Sequence, residues 1–133
     1  MRSLDVDCKI SAYCVINPSE DPKKIQTAVS NVLLDMNGKI TGSSFIANSD
    51  NYESLSKIYE IIRARKSERA YRRNLMHNLV ENSTWFYLNK QAAFVNIVSL
   101  CNEPDESPME PTKVVLQSKN IEKVIDWLVS DME

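Results

Sequence analysis

The sequence predicts an α+β domain, one layer of helices on a curved sheet, in the order β-α-β-α-α-β-β-β-α. Two observations carry this. Leu4, Val6, Cys8, Ile10, Ala12, Cys14 and Ile16 are apolar, and Asp5, Asp7, Lys9 and Ser11 stand between them. That period of two marks a strand with one buried face. Other stretches repeat apolar residues every three to four positions, the spacing of amphipathic helices. At 133 residues the chain reads as a single domain, 1–133, long enough for one core.

The elements follow in order. Asn17-Pro18-Ser19-Glu20 is turn chemistry. Asp21 suits an N-cap and Pro22 a first helical residue, ahead of the stripe Ile25, Ala28, Val29, Val32, Leu33, Met36. Asn37-Gly38 is the expected helix end, since both tolerate positive φ. Residues 39–47 read as a second strand, weakened by Gly42, and strand–helix–strand suggests a crossover between parallel strands. From Ser49 or Asp50 to about Val80 the chain reads as helical. Its two stripes, Leu55, Ile58, Ile61, Ile62 and then Tyr71, Leu75, Leu79, do not share a phase. A break is expected near residues 65–67, with Ser67 capping the second helix. Strands 84–88 and 93–101 are expected to form a hairpin across a tight polar turn, Asn89-Lys90-Gln91. An acidic, proline-containing loop follows over residues 102–108, then a strand at 112–117. Asn120 is expected to cap a last helix with the stripe Ile121, Val124, Ile125, Leu128, Val129, and Trp127 to border the core with its N–H near water.

Composition narrows the function. The net charge of -2 gives no global attraction to nucleic acid or acidic membranes, so such binding must come from a local patch. Cys8, Cys14 and Cys101 are odd in number and lack paired spacing. That argues for a reducing compartment, with the cytoplasm as the default location, and Cys8 and Cys14, which share the buried face of the first strand, read as small core residues. No apolar run approaches the roughly 20 residues of a membrane span, and the alternating N-terminus does not resemble a signal peptide. Two glycines cannot furnish a phosphate-binding loop, and Gly38-Lys39-Ile40-Thr41-Gly42-Ser43 has the wrong order for one. His77 is the only histidine and has no partner at metal spacing. No paired carboxylates or nucleophile–base arrangement stands out. The expectation is a non-enzyme with no cofactor, no metal, no membrane and no small-molecule substrate.

The best candidate site is basic: Arg63, Arg65, Lys66, Arg69, Arg72 and Arg73. On a helix, all but Arg63 fall within about 120° of one another. Such a face is the footprint of phosphate contacts; the competing reading is a solvated face partly paired with Glu60, Glu68 and Glu81. Asn89, Lys90 and Gln91 could add polar contacts. Trp85, Phe86 and Tyr87 offer stacking surfaces, although aromatics in strands more often pack in the sheet.

The run Phe86-Tyr87-Leu88-Asn89-Lys90-Gln91-Ala92-Ala93-Phe94-Val95 resembles the signature of an archaeal uncharacterised protein family, UPF0201. Val98-Ser99, Glu106-Ser107-Pro108 and Ile125-Asp126-Trp127-Leu128 continue the likeness in order. The chain departs from the family pattern at Asn96, where glycine is usual. It departs again at Met109-Glu110-Pro111, where Leu-Gly-Pro is usual, and at Val129-Ser130, where Ala-Pro is common. The resemblance implies a fold like that of the ribosomal protein that holds 5S rRNA, with a mixed, mostly antiparallel sheet and helices on one face. It also implies a homodimer, and RNA as a candidate partner. Two functions are therefore expected: RNA binding through the basic helix face, or a homodimeric protein-interaction module with no nucleic-acid ligand.

Overall fold

The computed structural model describes residues 1–102 and 109–130. Six strands form one sheet: β1 (Lys9–Val15), β2 (Asn37–Thr41), β3 (Ser44–Ser49), β4 (Ser83–Leu88), β5 (Leu100–Cys101) and β6 (Thr112–Gln117). Their order is β2-β3-β1-β6-β4-β5, and every neighbouring pair is antiparallel. The helices are α1 (Pro22–Val32), α2 (Ser56–Ala64), α3 (Glu68–His77), α4 (Lys90–Phe94) and α5 (Ile121–Val129), with a 3-10 turn at Tyr52–Leu55 before α2. One face of the sheet, including Ile10, Ala12, Cys14, Phe45, Ala47, Phe86, Leu88, Val114 and Leu116, is buried in a single core with apolar residues of α1, α2, α3 and α5. The α+β class and the mostly antiparallel sheet hold.

The expected parallel pair does not. Residues 39–47 are not one strand: Gly42, at φ +59, turns the chain so that Thr41 faces Ser44 and Ile40 faces Phe45. This left-handed position suits glycine. The resulting hairpin places β3 between β1 and β2. Two antiparallel steps leave β2 running in the direction of β1, so α1 does cross over, but the strands it joins are not neighbours.

The first strand is also shorter than its alternation suggests. The ladder begins at Lys9 opposite Gln117 and Ile10 opposite Ser49; Leu4 and Val6 pack on the core from outside it. Asp21 caps α1 by accepting from the Lys23 N–H at 3.0 Å, and Pro22 follows. That helix ends at Val32, with Leu33 already extended and Asp35 at φ 52. Asn37 and Gly38 therefore lie in β2 and not at the helix end. Gly38 has a packing role: a Cβ there would lie 2.9 Å from Cε1 of Phe45 and closer still to Cζ.

The break near residues 65–67 is real. Lys66 takes φ 52, its N–H reaches Arg63 O at 3.1 Å, and the Ser67 N–H reaches Ile62 O at 2.9 Å. This is a Schellman closure with a lysine at the left-handed position. Ser67 precedes α3, but its side chain does not cap it; the hydroxyl donates back to Ile62 O at 3.3 Å. Asn120 likewise precedes α5 without a side-chain cap; its N–H instead donates to Ser118 Oγ at 3.0 Å.

The expected hairpin turn at Asn89-Lys90-Gln91 is a helix start. Asn89 Oδ1 accepts from the Ala92 N–H at 2.8 Å and caps α4. Asn96, at φ 68, closes it by the same Schellman pattern, with Ile97 N–H on Ala92 O at 2.9 Å. Asparagine is the common substitute for glycine at such a position, so the departure from the family pattern keeps the backbone. Of the expected strand 93–101 only β5 remains, paired to β4 through Tyr87 and Leu88. Trp127 is buried, and its N–H donates to Arg2 O at 2.7 Å instead of meeting water. Cys8, Cys14 and Cys101 are buried and form no disulfide. Burial pushes the Cys8 thiol up to about 11, only partly countered by a backbone hydrogen bond from Gln117. The acidic loop expected at 102–108 falls on residues 103–108, outside the described residues.

Candidate nucleic-acid interface

The turn between α2 and α3 sorts the basic cluster into two kinds of residue. Arg63, in the last turn of α2, points inward. Its Nη1 donates to Tyr59 O at 3.1 Å and Leu128 O at 3.0 Å, and its Nη2 to Trp127 O at 3.1 Å and Ser130 O at 2.8 Å. The guanidinium lies 3.4 Å from the Tyr59 ring centroid. It closes the C-terminal end of α5, whose last carbonyls have no partner within the helix, and it sits where the helix dipole favours a cation.

The other members face outward. Arg65, Lys66, Arg69 and Arg73 are exposed. Arg65 Nη1 donates to Val98 O at 2.8 Å, which ties the turn to the segment before β5. Arg65, Arg73, Ser67, Ser99 and Asn102 line one shallow groove of about 240 Å³. Arg72 pairs with Asp126 on α5 at 3.0 Å, with both side chains well exposed, so the pair is weak and water-screened.

Asn89, Lys90 and Gln91 do not join this groove. Asn89 is occupied as a cap. Lys90 is 3% exposed; its ammonium donates to Val15 O at 2.8 Å and to Glu20 at 3.1 Å. Burial alone would raise the Glu20 carboxyl, but the Asn17 N–H, the Lys90 ammonium and the Asn17 amide all donate to it, and the Lys90 charge adds to them. Together they hold it below its ordinary value. Gln91 is exposed, beside Lys24 and Phe94, along a cavity of about 300 Å³ against α1. There Asn31 of α1 donates to Ala93 O at 3.0 Å, joining the two helices.

The aromatic trio divides between the faces of β4. Phe86 is in the core, edge-on to Tyr71 at 5.6 Å. Trp85 and Tyr87 point to the opposite face of the sheet and are half-buried. On that face Lys113 of β6 lies 4.5 Å from the Trp85 ring centroid. Tyr13 and Lys113 drew no attention in the sequence, because each is only the polar or outward half of a strand alternation. Among the described residues no three His, Cys, Asp or Glu side chains gather as a metal site, and no helix is long and apolar enough to cross a membrane.

An antiparallel sheet backed on one side by helices, with a cationic corner on a slightly acidic chain, defines a small α+β protein. A family model described as RNA binding matches residues 9–119, and the chain belongs to that family. Its relatives carry the name UPF0201 protein. The one from Sulfurisphaera tokodaii is 36% identical over 90% of this chain and 86% of its own length. That from Methanothermobacter thermautotrophicus is 32% identical over 93% and 92%. In the solved structure of the UPF0201 protein from Methanococcus jannaschii the fold recurs with a TM-score of 0.79, at 23% identity, over 94% of this chain and 95% of that one.

Proposed function

We propose that this chain binds RNA without catalysing a reaction, and that the α2–α3 corner grips phosphates. The observation that carries the reading is the corner itself. Arg65, Lys66, Arg69 and Arg73 stand exposed on one turn and the helix after it, in a chain of net charge -2. Arg65 and Arg73 face the same groove. The family description agrees in kind. In this reading Arg72 contributes by leaving its exposed pair with Asp126, and Gln91 adds a separate polar contact. Arg63, Asn89 and Lys90 serve the fold that holds the corner.

Four phosphate contacts on a single strand give a log–log salt slope of about -3. The test is binding to total cellular RNA across a salt series, beside an Arg65→Glu/Arg69→Glu/Arg73→Glu variant. Binding with that slope, lost in the variant, supports the proposal; equal affinity in both proteins refutes it. No binding at low salt, with a dimer by sedimentation, would favour the homodimeric interaction module instead.

A further inference from the structure

The face of the sheet opposite the helices carries a patterned surface that the corner does not explain. Pairing across five strands aligns Lys39, Ile46, Tyr13, Lys113 and Tyr87 in one continuous row. With strands about 4.8 Å apart, the row is roughly 19 Å long. In the neighbouring row Trp85 stands beside Val115, two residues from Tyr87 on the same strand and so about 7 Å away. Tyr13 is 43% exposed and Val15 38%. At the strand positions of this face in β1, β2, β3, β4 and β6, the charged residues are Lys9, Lys39 and Lys113, with no carboxylate. Asp7, Asp35 and Asp50 lie off the strands, lining hollows at the end of the sheet where Lys9 stands, so the cationic part is Lys113 and Lys39.

We infer that this face takes the unpaired bases of a single-stranded RNA, an inference that rests on the RNA-binding reading above. Tyr13, Trp85 and Tyr87 would stack bases, and Lys113 and Lys39 would meet phosphates. Aromatic rings interleaved with cations on an open sheet are what a single strand requires, because stacking tolerates any base and the cations track the backbone. Lys113 rests over Trp85 in the free protein, a half-buried cation–π contact on the ring face that a stacked base would occupy. An arriving base displaces it, and the released ammonium turns to the adjoining phosphate. A second copy docked on this face by two-fold symmetry would set the face against itself, and none of its described strand positions offers a carboxylate to pair with Lys113 or Lys39.

The probes are a 12-nucleotide oligouridine and an RNA duplex of equal length. The wild-type protein should bind the single strand with quenching of tryptophan emission. The Trp85→Phe variant should lose the quench, since Trp127 is buried. The Trp85→Ala/Tyr87→Ala variant, which removes two stacking rings, should bind the single strand more weakly by about 30-fold or more while duplex affinity holds. Lys113→Glu, which removes no packed ring, should weaken single-strand binding alone and covers the case in which the double variant misfolds. If these variants bind oligouridine like wild type while the Arg65/Arg69/Arg73 variant loses it, the sheet inference fails and the corner reading stands. If the wild type binds neither probe, both fail. A solution dimer that the Trp85/Tyr87 substitutions dissociate would make the face a subunit interface and overturn the inference.

Discussion

Replacing Arg63 should unfold the protein more readily than any other single change in its basic cluster. Its guanidinium makes four bonds to carbonyls at 2.8 to 3.1 Å. Hydrogen bonds to a charged group contribute about 1.5–3 kcal/mol each when counted alone. They do not add, because one side chain makes all four and its Nε is buried without a partner, a standing cost of about 1–3 kcal/mol. What decides the magnitude is the state left behind. Arg63→Met loses the guanidinium over Tyr59 and strands the carbonyls of Trp127 and Leu128 at the end of α5. Leaving a buried acceptor without its donor costs about 1–3 kcal/mol; the four carbonyls are only partly buried, which puts the total near the upper end of one such cost, about 3 kcal/mol. Against a total stability of about 5–15 kcal/mol, that is a large share. With a urea dependence near 2 kcal/mol per molar, the midpoint should fall by about 1.5 M, followed through Trp127, whose ring packs 5.0 Å from Tyr59. Arg63→Lys, which keeps a charge but not the fork, should lose about half as much and retain RNA affinity when folded. A midpoint for Arg63→Met within about 0.3 M of wild type would refute this account of the end of α5.

Two further outcomes follow from buried contacts. Lys90→Met should cost about 3 kcal/mol at neutral pH by leaving the Glu20 carboxylate, 12% exposed, without its cation. Glu20 is held below its ordinary value near 4.5, so its contribution is complete above that pH and is lost as pH falls through the folded value. The gap between variant and wild type should therefore narrow in urea melts run below about pH 4.5; a gap independent of pH would show that the pair is not what Lys90 supplies. Gly38→Ala sets a gain of about 0.4–1 kcal/mol from a stiffer unfolded chain against overpacking of about 1–3 kcal/mol. Phe45, the ring in the way, is in the core, so overpacking wins. A melting temperature lower by about 3 °C is expected by calorimetry, and an unchanged or raised one would mean that Phe45 moves aside freely.

What the chain reveals of itself depends on how local the determinant is. The cap at Asp21 with Pro22 and the break at residues 65–67 are settled within a few residues, and periodicity finds them. Gly42 is equally local, but one glycine in nine mostly polar or β-branched residues reads as a weak strand as easily as a turn. What decides is the pairing of Phe45 with Cys14 across β1, a contact between residues 31 positions apart in sequence. Asn89 followed by Ala92 and Ala93 did carry a helix signal, a good cap before strong helix formers. The expectation of a hairpin masked it, since Asn-Lys-Gln between apolar runs satisfies both readings.

The basic cluster shows the limit most sharply. A helical wheel groups Arg65, Lys66, Arg69, Arg72 and Arg73 and leaves Arg63 to one side, but it cannot say what lies beyond the wheel. Arg63 is claimed by carbonyls 64 to 67 residues away, and Arg72 by Asp126. Lys66 leaves the helix at a left-handed position, so the wheel's geometry does not apply to it. The corner that remains is smaller than the sequence suggests, and it is held open by the same break in phase that the two apolar stripes announce. The same logic applies to the sheet: alternation marks Trp85 and Tyr87 as facing away from Phe86. Only the register across β1 and β6 brings Tyr13 and Lys113 into line with them, and with that the outward half of each strand becomes one surface.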